Sequence, residues 1–255
     1  MHACGNYPSV GARCAGARVV PESAQGWWAS GDTEDMGKPV FWGLVFWLVQ
    51  PLYFVTEIVT AGRVTVPYSF VGNTISELGA VTCTTFGEPP LGPYAVCSPW
   101  HAFMNTSFVV SGVLLAAGAV LLRPQLPAGR TTTTAVVLYV IGGLTSIGTG
   151  LVPMDQNLAL HSLVSGPGFL VQPLALILLG LALRRTRAIF GWSTIAVGVA
   201  SLAGAVAFSI NPGGAGHGFF ERLSLWPANI WATALAILII SAMPRPERLV
   251  RGGRD

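Results

Sequence analysis

Six apolar runs, each close to the length of a membrane crossing, constrain this chain more than any other feature. They fall at about 40–61, 101–122, 132–152, 161–183, 191–210 and 224–243. A helix needs roughly 20 such residues to cross the hydrocarbon core of a bilayer. Inside lipid every backbone N–H and C=O must find its partner within the protein, which makes helices of such runs. Composition speaks against a soluble fold: 10% of the 255 residues are charged and 52% are hydrophobic, whereas a soluble domain carries about 25% charged residues. So few charges cannot solvate a globule of this size, but they suffice where most of the surface faces lipid. The expected fold is all-α, a polytopic membrane bundle of six transmembrane helices. Pro51 interrupts the first run and predicts a kink. Pro167 and Pro227 lie at the outer ends of the fourth and sixth, where a helix tolerates proline.

Residues 1–39 are different material: small, polar, punctuated by Gly and Pro, and without helical or strand period. They are expected to be a disordered cytoplasmic tail. Residues 1–30 contain no apolar run between a basic start and a small-residue cleavage site, so no secretory signal peptide is read there, and Met36 is a candidate start. Residues 40–243 form the membrane domain and 244–255 a basic C-terminal tail.

The net charge of +3 is almost all arginine, and its placement sets orientation. Arg13, Arg18, Lys38, Arg123, Arg130, Arg184, Arg185, Arg187, Arg245, Arg248, Arg251 and Arg254 lie on one side of the membrane, against Arg63 and Arg222 on the other. Basic residues collect in cytoplasmic loops, which puts both termini in the cytoplasm of a multi-pass cell-membrane protein. With the arginines explained by topology, the expected partners are membrane lipids rather than nucleic acid.

The outer loops are then roughly 62–100, 153–160 and 211–223. The first is the longest, and long loops disproportionately carry function. It holds Cys83 and Cys97, which pair as a disulfide on the oxidising face of a membrane. Closing that loop of about fifteen residues contributes on the order of 3 kcal/mol in the chain-entropy model. The alternative is two free thiols in a wet loop. Cys4 and Cys14, in the tail, should stay reduced.

With the inner arginines set aside, the polar residues near the outer ends of the spans are Asn73, Ser76, Glu77, His101, Asp155, His161, His217, Glu221 and Arg222. Three of the four histidines are among them. Ionisable groups close to lipid are costly and are functional candidates by default. Each also has a plainer explanation. Thr74-x-x-Glu77, within GNTISELGA at 72–80, matches a capping box, with Gly79 where a left-handed helix stop would fall. His101 and His161 open spans two and four and can be interfacial anchors. Asp155, after Pro153, can simply end span three. His217 and Glu221, four apart, share a helix face and can hold one metal ion or one hydrogen-bonded pair. Glu221 with Arg222 can be a structural ion pair, and 211–216 reads as a hinge. No dinucleotide, phosphate-loop, nucleophile-elbow or haem-attachment motif competes.

The order of these elements resembles the domain-of-unknown-function 998 family of bacterial membrane proteins. The elements are NTISELG after span one, a His opening span two, P-x-D and a following His before span four, and G-x-x-E-R before the last span. The resemblance covers roughly residues 40–243, with Glu77 where Asp is commoner, and implies the six-span fold without an activity. A fainter similarity is to membrane-embedded metal hydrolases that use a Ser, an Asp and three His. It would assign Ser76, Asp155, His101, His161 and His217, but those enzymes have seven spans and a His-x-x-x-His pair on the last one.

The expected site is therefore a polar pocket at the non-cytoplasmic face. In it His101, His161 and His217 hold a metal ion such as zinc, and Asp155, Glu221 and Ser76 supply catalytic groups. Asn73, Glu77 and Arg222 bind a lipid or small-molecule ligand. Two readings follow: a membrane-embedded hydrolase acting on a lipid, or a non-catalytic carrier or accessory subunit whose polar cluster binds a ligand or ties the loops together. The orientation is tested by reporter fusions. Those placed after Arg187 and Arg254 should report cytoplasmic, and one after Gly92 external. A cytoplasmic signal at Gly92 contradicts the orientation.

Overall fold

The computed structural model describes residues 37–87 and 92–243, so both expected tails lie outside it apart from residues 37–39. Among the described residues, six helical segments are long and apolar enough to cross a membrane. The first is broken in two: α1 (Lys38–Leu48) and α2 (Leu52–Ala61) meet at Pro51, where the ladder tightens to bonds such as Leu52 N–H to Val49 O at 3.0 Å. This is the kink expected of a residue without an N–H. The second and third spans are α3 (His101–Leu121) and α4 (Arg130–Leu151). The fourth is also broken, into α5 (Leu158–Ser165) and α6 (Gly168–Leu183) at Gly166-Pro167. The fifth is α7 (Ala188–Ile210), and the sixth is α8 (His217–Ala242).

Spans that follow one another in the chain pack side by side, and α8 returns to α1, so the six close into a bundle. The outward faces are apolar: Ile189, Ile210, Leu163 and Leu151 are all largely exposed, as lipid-facing side chains are. Small residues allow the helix axes to approach closely, as is common in membranes. A Cβ on Gly118 would run into the indole of Trp47, whose Nε1 donates to the Leu115 carbonyl at 3.1 Å. Beside the Pro51 break, Gln50 and Ser111 exchange bonds. Gln50 Nε2 donates to Ser111 O at 3.2 Å, and Ser111 Oγ donates to Gln50 Oε1 at 2.7 Å. Both partners are buried, and each satisfies what would otherwise be an orphan polar group in the apolar core.

Between α2 and α3 the described residues of the long loop form their own small elements. A short 3-10 helix (Ser76–Gly79) precedes an antiparallel hairpin of β1 (Thr84–Phe86) and β2 (Tyr94–Val96), in the register Thr84↔Val96, Thr85↔Ala95, Phe86↔Tyr94. Cys83 and Cys97, just outside that ladder, form the expected disulfide, with Cα atoms 4.2 Å apart.

Two expectations are corrected. The last span begins at His217, not near residue 224, because left-handed Gly213 and Gly216 (φ 66° and 79°) turn the chain directly into α8. The polar residues that read as loop are its inward face, with Glu221 and Arg222 buried. Gly79 is not a left-handed stop, since its φ is not positive. It is small because a Cβ there would strike the Asn105 side chain, whose Nδ2 donates to the Gly79 carbonyl at 2.9 Å.

Candidate functional site

Arg222 anchors the end of the bundle that carries the loop between α2 and α3. Its guanidinium has five N–H donors and must place them once buried, and only 4% of the residue is exposed. Nε donates to Glu57 Oε1 at 2.8 Å. One terminal nitrogen reaches the carbonyls of Phe70, Asn73 and Gly218 at 2.8, 2.7 and 2.9 Å. The other donates to the Tyr68 hydroxyl at 2.6 Å. The rings of Phe70, Tyr68 and Trp226 surround the cation at 5.1, 6.0 and 6.0 Å, the geometry of cation–π contacts. Glu57, fully buried on α2, takes its second bond from Trp226 Nε1 at 3.0 Å. Arg222 thus pairs with Glu57 on the first span, which α8 returns to, and not with its neighbour Glu221.

These bonds pull residues 68–80 over the start of α8. The first amides of that helix have no intrahelical acceptors. Here Gly218 N–H donates to Gly72 O at 3.2 Å and Phe219 N–H to Val71 O at 2.9 Å. The approach is so close that a Cβ on Gly218 would overlap the Asn73 carbonyl. The segment then enters the expected capping box. Thr74 N–H donates to Glu77 Oε1 at 3.1 Å, and Glu77 N–H donates to Thr74 Oγ1 at 3.3 Å. Asn73 Nδ2 at 2.7 Å and the Tyr94 hydroxyl at 3.4 Å complete the shell around Glu77. Burial pushes the Glu77 carboxyl above its usual range against the pull of those donors. Burial first, then the Glu77 charge, raises the Tyr94 hydroxyl to about 12.

The capped turn presents Ile75 and Ser76 to the bundle. Ile75 N–H donates to Glu221 Oε2. Ser76 Oγ lies 3.3 Å from Glu221 Oε1 and 3.1 Å from His161 Nε2. The other ring nitrogen, Nδ1, is 2.6 Å from the Val152 carbonyl. A carbonyl only accepts, so Nδ1 carries a proton, and in the neutral ring Nε2 is left as an acceptor aimed at the serine hydroxyl. Ser76 and Glu221 line a cavity of about 40 Å³ inside the bundle, together with Tyr53, Thr145, Gln172 and Asn229. A water needs on the order of 10–15 Å³ on this measure, so two or three fit.

The remaining expected residues go elsewhere. His101 Nδ1 lies 3.0 Å from the Ser98 carbonyl. His217 stacks on Phe208, ring centroids 4.1 Å apart. His161 alone of the three histidines joins Ser76. Among the described residues no group of three or more His, Cys, Asp or Glu is placed to hold a metal ion. Asp155 serves the outer loop instead of the cavity: it accepts from the amides of Val81 and Thr82 at 3.0 and 2.8 Å and from the Thr82 hydroxyl at 2.7 Å.

Sequence reading missed Glu57, Tyr68, Trp226 and Gln172. Glu57 had a signal: it is a carboxylate inside an otherwise apolar span, and such a group needs a cation, of which the outer side offers only Arg63 and Arg222. The other three carry no signal that separates them from ordinary span and loop residues.

A family model described as "Protein of unknown function (DUF998)" matches residues 47–238. No curated protein and no solved structure matches the chain.

Asp155 yields a test of the loop attachment. Partial burial pushes its pKa up, but the bonds from Val81, Thr82 and Gln156 outweigh that and hold it below the usual carboxylate range. A depressed carboxyl contributes stability above its unfolded pKa of about 3.9 and loses it as pH falls through the lower folded value. Asp155→Asn should therefore cost about 1 kcal/mol at pH 7, an amount that allows for its partial exposure. Thermal unfolding should show the gap from wild type closing below about pH 4. A gap independent of pH contradicts the assignment.

Proposed function

The chain belongs to the DUF998 family, a description that assigns no activity, and we propose that it is a membrane-embedded hydrolase or transferase acting on an ester carried by a lipid. The supporting observation is the Ser76–His161 pair: a hydroxyl 3.1 Å from Nε2 of a ring whose Nδ1 is committed to the Val152 carbonyl. Nucleophile, base and orienting group in that order are the arrangement used for acyl transfer on several unrelated folds, with the carbonyl here in place of a carboxylate.

In the proposed reaction Ser76 Oγ attacks the ester carbonyl carbon while its proton passes to His161 Nε2. The acyl–oxygen bond breaks, and His161 returns the proton to the departing alkoxide. Water, or a second alcohol in the transferase case, repeats the sequence and frees the serine. Glu221, on the far side of Ser76 Oγ, positions the nucleophile and favours the positive charge that develops on the imidazole. Arg222 acts at one remove, by fixing the loop that carries the serine. The cavity lies among membrane-spanning helices and has apolar walls from Phe108, Phe169 and Leu225, which suits a substrate delivered from lipid. The basic-residue asymmetry supports a position for this site in the outer half of a cell membrane.

A second reading has one observation in its favour: Ser76 also bonds Glu221, so the trio can serve only to tie α5, α8 and the loop together, as in a carrier or accessory subunit. Covalent labelling separates the two. An alkyl fluorophosphonate should modify wild-type protein in native membranes at Ser76, located by peptide mass. Ser76→Ala should abolish the adduct, and His161→Gln should slow its formation by about 10²–10⁴-fold, the contribution of a general base. Wild-type Ser76 left unmodified, or a rate unchanged in His161→Gln, contradicts the hydrolytic reading.

A further inference from the structure

Four hydroxyls in the polar wall of the cavity, which also holds Tyr53 and Asn229, share one hydrogen-bonding pattern. Thr145, Ser146, Thr149 and Ser165 all line it. Each hydroxyl proton goes to a backbone carbonyl: Thr145 to Gly142 at 2.7 Å, Ser146 to Phe108 at 2.9 Å, Thr149 to Thr145 at 2.9 Å and Ser165 to His161 at 2.7 Å. A hydroxyl has one proton and two lone pairs, so these four oxygens have only lone pairs left for whatever occupies the cavity. Gln172, 5% exposed and on the same wall, has a carboxamide oxygen without any partner. A buried acceptor of this kind is costly unless something fills it.

Charge points the same way. Glu221 is 3% exposed and lines the cavity, yet among the described residues no cationic side chain lies within ion-pair distance of it. The adjacent guanidinium is turned towards Glu57. Around this end of the bundle the buried acids are Glu57, Glu77 and Glu221, against Arg222 and the His161 ring, which reaches Ser76 and not a carboxylate. Glu57 is neutralised by the arginine, and Glu77 is enclosed by Asn73, Thr74 and Tyr94. That leaves Glu221, which accepts from Ile75 N–H and Ser76 Oγ but meets no cation, beside a space to which these oxygens turn their lone pairs. Burying a carboxylate in apolar surroundings is expensive unless a cation or a proton joins it.

We propose that this cavity is a binding site for a small monovalent cation: an alkali ion, or a primary ammonium group borne by the substrate. Glu221 supplies the charge, and Thr145, Ser146, Thr149, Ser165 and Gln172 the oxygen ligands. This goes beyond the ester-cleaving reading and does not require Ser76 to be a nucleophile. Labelling of Ser76 and cation binding are scored separately, so either can fail alone.

The test uses the full-length protein in a neutral detergent, unfolded thermally at constant pH and ionic strength. Tetramethylammonium chloride, too bulky for the cavity and without an N–H, is replaced stepwise by sodium, potassium, ammonium or methylammonium chloride. At least one of these should raise Tm saturably, by about 3 °C or more at tenfold excess over its midpoint. A response to sodium or potassium alone identifies a free metal ion, and one to ammonium and methylammonium alone identifies the amine group. Glu221→Gln, and independently Gln172→Met and Thr145→Val, which keep the size of the side chain, should weaken the midpoint at least fivefold. No response beyond that of tetramethylammonium means the cavity holds only water and overturns the proposal. A response unchanged in all three variants places the cation elsewhere and overturns it equally.

Discussion

The Arg222–Glu57 pair holds together the end of this protein that carries the loop between α2 and α3. A guanidinium at membrane depth cannot rely on water, so all its donors must be met by protein. The acceptors come from three separate stretches of chain: Glu57 on α2, the carbonyls of Phe70 and Asn73 and the Tyr68 hydroxyl in the loop, and Gly218 on α8 itself. One side chain thereby sets where the loop lies across the helix ends. The capping box, the serine turn and the contact with His161 follow in order along the same dozen residues. Pairs of this kind are not strongly stabilising compared with a well-packed apolar substitute, because desolvation offsets much of the attraction. What they impose is specificity: leaving either partner alone in the interior is far worse than keeping both.

That dependence explains what was legible beforehand. The six spans, the break at Pro51 and the Cys83–Cys97 bridge could be read because each rests on local information: apolar length, a missing N–H, and two cysteines in one loop. The Thr74–Glu77 capping box was readable for the same reason, since both partners lie three residues apart. The start of the last helix was misplaced because His217, Glu221 and Arg222 look like loop residues in a membrane protein until something is known to cover them. What covers them is the loop 146–149 residues earlier in the chain, and no local pattern announces that. The partner of Arg222 was likewise invisible in its neighbourhood, where Glu221 stands adjacent. Choosing Glu57 required seeing that a carboxylate inside span one needs a cation, and that Arg63, packed over Trp100, does not supply it.

The same geometry determines which polar residues can do chemistry. Nine polar residues were expected on one membrane face, but only Ser76 and Glu221 line the cavity, with His161 bonded to Ser76, while Asp155 and His101 hold loops and His217 stacks on a ring. A serine aimed at a carbonyl-oriented histidine, and four nearby hydroxyls whose protons point away from the cavity, are complementary features. One suits attack on an ester, and the other suits a positively charged or donor-rich group beside it.

The most direct measurement is a double-mutant cycle on Glu57 and Arg222, read as unfolding free energy of the detergent-solubilised protein. Glu57→Gln and Arg222→Met should each cost about 3–5 kcal/mol, because each strands a buried charge. The double variant should cost less than the two together by about 2 kcal/mol or more, the signature of groups in direct contact. Costs that simply add would mean that the two side chains act independently and that this end of the bundle is organised by something other than this pair.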